Sequence, residues 1–298
     1  MLNAVERKIE QFIVELDDKE ITSLYTRLPK GKMLRAKLIL KIAGSGLSVV
    51  KTAAIVEMIH AASLLHDDVI DDAYTRRSQP SLNALYGNKT AIMLGDILYS
   101  KGFLELNNIS PEVAKVVSNA VVQLSLGELK DVSLSEKFNT DKTAYLEMIY
   151  QKTGSLMEAC AGAAALLAGK NKDIYMTYGR NLGIAFQMID DLLDITMDSE
   201  TLGKPALHDF VEGKTTLPYI YLNEALDTQD QMKLQSLHGK SLNEHEQTWI
   251  KSMMQSTGVI EKSYAEAKSL IEEAISLMDA QGESALSSIA MAMIEREF

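Results

Sequence analysis

The chain has 298 residues, of which 46% are hydrophobic and 24% are charged, a composition typical of globular proteins with a large core. Its 41 aspartate and glutamate residues outnumber its 30 lysine and arginine residues, and the resulting net charge of −11 argues against a general nucleic-acid binder. Any basic binding site must therefore be local. The single cysteine, Cys160, cannot form an internal disulfide, and its apolar neighbours predict a buried, inert thiol.

The sequence offers no segment that predicts secretion or a membrane span. The first residues, "MLNAVERKIEQF", lack the apolar core of a signal peptide. The longest uncharged apolar run, residues 159–169, is far shorter than the ~20 residues that a spanning helix needs. Together with the lone cysteine, this predicts a cytoplasmic protein.

Helical periodicity dominates the chain, and strand-like alternation is scarce. Apolar residues recur three and four positions apart in residues 5–16, 49–65, 91–106 and 113–129. Breakers separate these segments: "GSG" at 44–46, "YGN" at 86–88 and "NNISP" at 107–111. Residues 112–204 contain no proline, which permits long helices. Without internal repeats or linkers, the pattern predicts an all-α protein with a single domain over residues 1–298.

The first unusual motif is a cluster of aspartates in "LLHDDVIDD". On a helix of ~3.6 residues per turn, Asp67 and Asp71 lie one turn apart on the same face, and Asp68 flanks them. Their mutual repulsion costs a few tenths of a kcal/mol per pair, so helix propensity does not explain the cluster. Oxygen ligands without a nearby cysteine suit a hard cation such as Mg²⁺. For a single motif of this kind, a solvated acidic helix end is a better explanation than a metal site.

A second motif with the same spacing, "FQMIDDLLD", makes the metal hypothesis the better one. It contains Asp190, Asp191 and Asp194, and its apolar flanks predict a mostly buried helix. Buried carboxylates are costly unless they are compensated. Two such helices could hold several divalent ions between them, an arrangement that suits a diphosphate ligand.

An anionic ligand also needs positive contacts, and the sequence supplies basic residues beside glycines and in short turns. Arginine recognises phosphate with two parallel hydrogen bonds, and lysine acts as a compact point charge. The candidate residues are Lys32 and Arg35 in "KGKMLRAK", Arg76 and Arg77, Lys152 in "QKTG", Lys204 in "LGKP" and Lys214 in "EGKTTLP".

These motifs, in this order and spacing, make the chain resemble the trans-isoprenyl diphosphate synthases, and in particular the long-chain, octaprenyl-type members. The resemblance covers most of the chain and rests on "GKMLR", "LLHDDVIDD" with "RR", "KTG", "FQMIDDLLD" and "LGKPALHDFVEGKTTLP". It implies the isoprenoid synthase fold, a bundle of mostly antiparallel helices around a deep central cavity. It also implies a homodimer, with the two aspartate motifs facing each other across the cavity mouth.

The resemblance assigns a role to each motif residue. Two to three Mg²⁺ ions would bridge the allylic diphosphate to Asp67, Asp68, Asp71, Asp190, Asp191 and Asp194. The departing diphosphate would contact Arg76, Lys152, Lys204 and Lys214, and isopentenyl diphosphate would contact Lys32, Arg35, His60 and Arg77. Thr153 and Gln187 would lie near the developing cation. His66, Asp72 and Asp96 are structural or supporting candidates.

The implied reaction needs no protein nucleophile. The allylic carbon–oxygen bond ionises, the isopentenyl double bond attacks, and a proton is lost, which leaves a chain one isoprene unit longer. Catalysis then consists of stabilising charge on the departing diphosphate. Two positions depart from the family pattern: Ala36 stands where a proline commonly follows the arginine, and Leu207 replaces a frequent glycine. Neither substitution removes a charged contact.

Small residues before the first aspartate motif predict a long product. Short-chain family members have an aromatic plug at the positions of Ala62 and Ser63. One turn deeper, Ile59 and Met58 are flexible enough to line a tunnel. Leu124 and Val121, on the helix that carries Glu128, are candidate stoppers at its floor. Plain core packing explains all of these residues equally well, and octaprenyl length is the preferred prediction.

Four alternative interpretations remain open at this point: two other enzymes, a non-catalytic subunit and a scaffold without activity. A short-chain synthase making geranylgeranyl or farnesyl diphosphate would share every motif. A terpene cyclase would use one aspartate motif but would not need the second or the isopentenyl contacts. A non-catalytic subunit of a hetero-oligomeric synthase is disfavoured by the intact motifs, and an acidic helical scaffold comes last. A long lipid product also predicts peripheral delivery to a membrane, although no anchor is visible.

Overall fold

The structure, a computed structural model, describes residues 1–77, 79–196 and 207–294, with side chains described as far as residue 292. The described residues are predominantly helical, with almost no strand, which confirms the all-α prediction. One two-residue antiparallel pair, β1 (Thr75–Arg76) and β2 (Gln79–Pro80), interrupts the helices. The helices are α1 (Leu2–Val14), α2 (Lys19–Thr26), α3 (Leu34–Ala43), α4 (Leu47–Ile70), α5 (Leu82–Tyr86), α6 (Asn88–Leu106), α7 (Pro111–Ser135), α8 (Lys142–Ile149), α9 (Ser155–Leu167), α10 (Lys172–Thr196), α11 (His208–Val211), α12 (Leu217–Ala225), α13 (Thr228–Leu237), α14 (Glu244–Thr257), α15 (Val259–Ala280) and α16 (Ser284–Ile294).

A π-helical turn, Tyr150–Gly154, joins α8 to α9. The chain divides into two compact units, the first comprising residues 1–122 and 156–179 and the second residues 123–155 and 180–298. Each unit is described separately below. The expectation of a single domain over residues 1–298 stays a prediction.

Helix α4 forms the centre of the first unit. It packs against α1, α3 and α6, and most of its residues between Val49 and Leu65 are buried. Two glycines of α6, seven residues apart, permit close packing. A Cβ added at Gly95 would lie 2.4 Å from His66 Nε2, and one at Gly102 would lie 3.4 Å from Ile59 Cγ1. The two helices therefore pack with little space between them along two turns.

Helix α4, with 24 residues, is long and apolar enough by length and composition to cross a membrane. It is the one helix among the described residues of which this is true. Half of its most apolar stretch is buried inside the fold. Its apolar residues are accounted for by contacts with α1, α3 and α6, as in the core helix of a globular protein.

Helix α12 has a similar place in the second unit. Its first seven residues are all buried, and it contacts α8, α14 and α15. The ring of Tyr219 stacks on Phe210 of α11 at a centroid distance of 4.4 Å. On another side, Lys142 of α8 donates hydrogen bonds of 2.6 Å to Tyr221 Oη and to Glu266 of α15. Aromatic stacking and this ion pair connect the helices around α12.

Candidate active site

The first aspartate motif lies at the C-terminal end of α4, and its three aspartates differ in exposure. Asp67 is half-buried, Asp71 is exposed at the end of the helix, and Asp68 is only 4% exposed. Arg76, on β1, compensates the buried charge by donating to Asp68 Oδ1 from Nε at 2.7 Å and from Nη2 at 2.6 Å. Asn83 Nδ2 donates to the backbone carbonyl of Asp68 at 3.0 Å. The motif is therefore held by α5 and the strand pair.

A positive cluster lies beside this motif in the same unit. Burial lowers the pKa of His60 well below its usual value, and the charges of Arg35, Arg77 and Arg76 lower it further. His60 is consequently neutral near pH 7. Burial also lowers the pKa of the Arg35 guanidinium, whose Nε is buried without a hydrogen-bond partner among the described residues. Arg35 and Arg77 thus place positive charge beside a neutral imidazole in a protein of net charge −11, while Arg76 is paired with Asp68.

The loop before α3 holds Arg77 against this cluster. Arg77 Nη1 donates to the carbonyl of Pro29 at 3.0 Å, and a Cβ added at Gly31 would lie 2.9 Å from the Arg77 guanidinium nitrogens. Lys32 is exposed in the same loop. The N–H of Ala36 donates to Glu57 Oε1 at 2.8 Å, a bond that the proline common at this position could not make. This departure from the family pattern therefore adds a contact.

The predicted chain-length residues are buried on α4. Ala62 and Ile59 are fully buried, as is Met58, and Ser63 is 9% exposed and donates to the His60 carbonyl at 2.9 Å. The contact of Ile59 with Gly102 makes it part of the packing between α4 and α6. The roles of Ala62, Ser63 and Ile59 in chain length stay predictions.

The three supporting candidates of this unit lie near the surface. His66 Nε2 is 3.4 Å from Asp96 Oδ1 and 3.2 Å from the carbonyl of Ile92, so it connects α4 to α6. Asp72 is exposed and has a φ of 49° just after α4. The geometry of His66 and Asp96 fits a structural role.

The second aspartate motif lies near the C-terminal end of α10, in the second unit. Asp190 is exposed, whereas Asp191 and Asp194 are 5% and 2% exposed. Asp191 Oδ2 accepts a 2.6 Å hydrogen bond from Tyr145 Oη, and Oδ1 accepts one of 2.9 Å from Gln187 Nε2. Burial and the charge of Asp209 raise the pKa of Asp191 to about 8, although these two hydrogen bonds oppose the rise. Any cation bound nearby would favour the ionised carboxylate.

The π-helical turn presents Lys152 and Thr153. Lys152 Nζ lies 2.6 Å from Asp131 Oδ2 and 2.9 Å from Glu128 Oε2, both on α7. The backbones approach closely because residue 127 is glycine: an added Cβ there would lie 2.5 Å from the Lys152 backbone nitrogen. Thr153 Oγ1 donates to Gln187 Oε1 at 2.9 Å, which connects the turn to α10. The structure thus brings together Thr153, Gln187 and Asp191.

The segment after the second motif carries Lys214 and Leu207. Lys214 Nζ is 3.2 Å from Glu212 Oε2. Leu207 is fully buried and has a left-handed backbone with φ of 60°, a conformation that favours the glycine common in the family. Two residues later, Asp209 donates its backbone N–H to Asp194 Oδ2 at 3.1 Å. Lys204 lies outside the described residues. Val121 and Leu124 of α7 are buried, and their role as stoppers stays a prediction.

The donor chemistry fits Mg²⁺. Among the described residues, no group of three or more histidine, cysteine, aspartate or glutamate side chains forms a ready-made metal cage. Mg²⁺ rarely uses such a cage, because it keeps several waters and is held by one or two carboxylates together with substrate phosphate oxygens. In the first unit, exposed Asp71 and half-buried Asp67 suit that mode of binding, and in the second unit exposed Asp190 does so.

Several supporting residues were not predicted from the sequence. Tyr145, Asp131, Asn83 and Glu57 contact the motif residues through hydrogen bonds or charge, but none stands in a recognisable motif. The sequence spacing could not identify Tyr145, because it lies 46 positions from its partner Asp191. The sequence did contain one signal for the close packing around Lys152, namely Gly127, because a glycine inside a helix often marks a position where another backbone approaches closely.

The chain is similar to known proteins in both sequence and structure. Residues 19–256 match the model of the family described as polyprenyl synthetase. The octaprenyl pyrophosphate synthase structure from Helicobacter pylori is 42% identical, with a TM-score of 0.94 over 99% of this chain and 98% of that one. The mitochondrial solanesyl-diphosphate synthase 1 of Oryza sativa subsp. japonica is 46% identical over 176 residues. That alignment spans 58% of this chain and only 41% of the rice protein, less than half of its length.

A third match bears on the metal. A polyprenyl synthase structure from Caulobacter crescentus, complexed with calcium and isoprenyl diphosphate, is 29% identical. Its TM-score is 0.89, and the alignment covers 100% of this chain and 95% of that one. That structure thus contains both calcium and isoprenyl diphosphate in complex with a protein of similar fold.

Proposed function

The chain belongs to the polyprenyl synthetase family, and we propose that it is a Mg²⁺-dependent prenyltransferase that makes a long-chain all-trans polyprenyl diphosphate. Its substrates are isopentenyl diphosphate and an allylic diphosphate, with farnesyl diphosphate as the proposed primer. The preferred product is octaprenyl diphosphate.

One observation carries this proposal: a positive site in an acidic protein. Arg35 and Arg77 act electrostatically on buried His60, and Arg35 Nε is buried without a hydrogen-bond partner among the described residues, whereas Arg76 is paired with Asp68. An anionic headgroup would supply the counter-charge and the hydrogen-bond acceptor that Arg35 and Arg77 can use. Arg35 and Arg77, with Lys32 and neutral His60, are therefore proposed to bind the diphosphate of isopentenyl diphosphate.

The aspartates are proposed to act through bound metal. Asp71 and Asp190 are exposed and Asp67 is half-buried, and all three are proposed as direct Mg²⁺ ligands. The buried members Asp68, Asp191 and Asp194 remain predicted ligands. When bound, Mg²⁺ supplies positive charge to the oxygens of the allylic diphosphate, which stabilises the leaving group.

The basic residues are proposed to complete the binding of the allylic diphosphate. Lys152, with its backbone fixed in the π-helical turn, supplies one positive contact, and Arg76 supplies another. The remaining predicted contacts are Lys204 and Lys214. The leaving diphosphate takes the electron pair of the carbon–oxygen bond, and the half-buried side chains of Thr153 and Gln187 are proposed to orient their oxygens toward the resulting allylic cation.

Product length is proposed to depend on the small residues Ala62 and Ser63. Both lie on α4 less than two turns before Asp67, where an aromatic side chain would shorten the space for hydrocarbon. Ile59 is proposed to line the next level. A short-chain product, geranylgeranyl or farnesyl diphosphate, is the outcome that would contradict this assignment.

Assembly and location are also proposals. The protein is proposed to be a homodimer in the cytoplasm, because the family resemblance implies a dimer and the one cysteine, Cys160, is a buried free thiol. Its lipid product is proposed to reach a membrane by peripheral delivery. Sedimentation of the purified chain would test the oligomeric state.

The test is a condensation assay with radiolabelled isopentenyl diphosphate, farnesyl diphosphate and Mg²⁺, followed by chromatographic separation of the products. The expected result is a ladder ending near the octaprenyl product, with all incorporation lost in Asp67→Ala. A chelator should abolish the activity and added Mg²⁺ should restore it. A wild-type protein that incorporates no label would contradict the proposal.

A further inference from the structure

A chain of four hydrogen-bonded side chains runs through the second unit. Tyr145 Oη donates to Asp191 Oδ2 at 2.6 Å, and Gln187 Nε2 donates to Asp191 Oδ1 at 2.9 Å. Thr153 Oγ1 then donates to Gln187 Oε1 at 2.9 Å. We call these four residues the Tyr145 relay.

Three separate elements supply the relay. Tyr145 lies on α8, Gln187 and Asp191 lie one turn apart on α10, and Thr153 lies on the π-helical turn. Gly154 lets that turn pack closely on α10, because a Cβ added there would lie 3.2 Å from Ile184 Cγ1. Single π-helical turns are frequent at functional sites, where they redirect a side chain.

Burial falls along the relay from one end to the other. Tyr145 is 1% exposed and Asp191 is 5% exposed, whereas Gln187 and Thr153 are half-buried. The buried end is thus fixed by packing, and the accessible end carries the two residues that the proposed function places near the allylic cation.

The hydrogen bonds determine which way the Gln187 amide points. Asp191 accepts with both oxygens, so it requires the NH₂ group of Gln187 on its side. The amide oxygen is then directed to Thr153, which donates to it. An amide turned by 180° would place its oxygen against the carboxylate, and that arrangement is repulsive. The position of Asp191 in turn depends on Tyr145.

We propose that Tyr145 and Asp191 are positioning residues that hold the Gln187 amide oxygen in the orientation needed during ionisation. This inference rests on the proposed function. Under it, Asp191 acts through hydrogen bonds in place of the metal-ligand role predicted for it from the sequence, and its exposed neighbour Asp190 is the metal ligand of the pair. The two adjacent aspartates should therefore respond differently when each is changed to asparagine.

The experiment is a double-mutant cycle in the condensation assay with Mg²⁺ present. Tyr145→Phe removes one hydroxyl and keeps the ring. We expect it to lower kcat by about tenfold, the effect of losing a hydrogen bond to a charged group, with little change in KM for either diphosphate. In the Gln187→Ala background the same change should have no further effect, because Tyr145 acts through Gln187.

A second readout separates positioning from metal binding. Mn²⁺ binding in the presence of inorganic pyrophosphate, followed by electron paramagnetic resonance, should be unchanged in Tyr145→Phe and weakened in Asp190→Asn. Tyr178→Phe removes another buried tyrosine hydroxyl outside the relay and serves as the matched control. It should keep wild-type kcat.

Two outcomes would overturn the positioning role. One is a full kcat in Tyr145→Phe, and the other is an equal loss of kcat in the wild-type and Gln187→Ala backgrounds. If Tyr145→Phe does not fold, Asp191→Asn takes its place in the same cycle, and weakened Mn²⁺ binding in that variant would refute the positioning role. An inactive wild-type protein would instead refute the proposed function.

Discussion

Replacing Gly127 by alanine should move the π-helical turn that carries Lys152. An added Cβ would lie 2.5 Å from the Lys152 backbone nitrogen and 2.8 Å from the carbonyl carbon and Cβ of Gln151. Ordinary contact begins at 3.4 Å, so the two backbones must separate by about 3.4 − 2.5 = 0.9 Å. Neither partner can yield by rotating a side chain, because the closest atom belongs to the backbone.

The expected magnitudes follow from this overlap. Alanine in a helix interior gains about 1 kcal/mol over glycine, whereas overpacking costs about 1–3 kcal/mol, so the net loss in the free energy of unfolding is up to about 2 kcal/mol. Activity should suffer more than stability. A displacement of about 1 Å in a positioned group can cost on the order of 100-fold in rate, and Lys152 would move relative to Glu128 and Asp131.

Denaturant unfolding and the condensation assay measure the two effects side by side. Gly102→Ala is the matched control, because it also adds a methyl inside a helix but meets its nearest atom, the Ile59 side chain, at 3.4 Å. The control should retain activity. A Gly127→Ala protein with wild-type activity would refute the claim that the close approach of α7 fixes Lys152.

Two further predictions concern the first unit. His60 should titrate well below pH 6.5 in proton NMR, and added diphosphate should raise its pKa, because an anion opposes the field of Arg35, Arg76 and Arg77. Since the unfolded chain protonates this histidine near pH 6.5, the free energy of unfolding should fall as the pH drops below that value. The fall should be smaller in His60→Gln, and an identical pH dependence in both proteins would contradict the assignment. Ser63→Phe should shorten the product on chromatography while the first condensation continues, and an unchanged octaprenyl product would show that this position does not limit chain length.

The helical architecture could be predicted from the sequence because it depends on local periodicity. The segments predicted at residues 49–65 and 91–106 are observed as α4 (Leu47–Ile70) and α6 (Asn88–Leu106), and the breakers fall between helices as expected. The π-helical turn at Tyr150–Gly154 could not be predicted in this way. It depends on close packing against α7 and α10, which involves residues far away in the chain.

The two aspartate motifs also show what could not be predicted from the sequence alone. Their spacing predicted which carboxylates share a helix face, but it could not predict which of them are compensated within the fold. In both motifs the second aspartate is buried and hydrogen-bonded inside its own unit, Asp68 by Arg76 and Asp191 by Tyr145 and Gln187. One partner is charged and the others are neutral.

Because Asp68 has a charged partner and Asp191 has neutral ones, the two motifs should respond differently to the loss of a partner. Replacing Arg76 leaves the buried Asp68 carboxylate without its counter-charge, which lowers the free energy of unfolding by roughly 3–5 kcal/mol. Removing the Tyr145 hydroxyl still leaves Asp191 the hydrogen bond from Gln187, so the loss is about 1.5–3 kcal/mol at most. The first motif should therefore fail mainly by loss of stability and the second mainly by loss of positioning. Two sequence repeats that read alike are thus supported by different physical interactions.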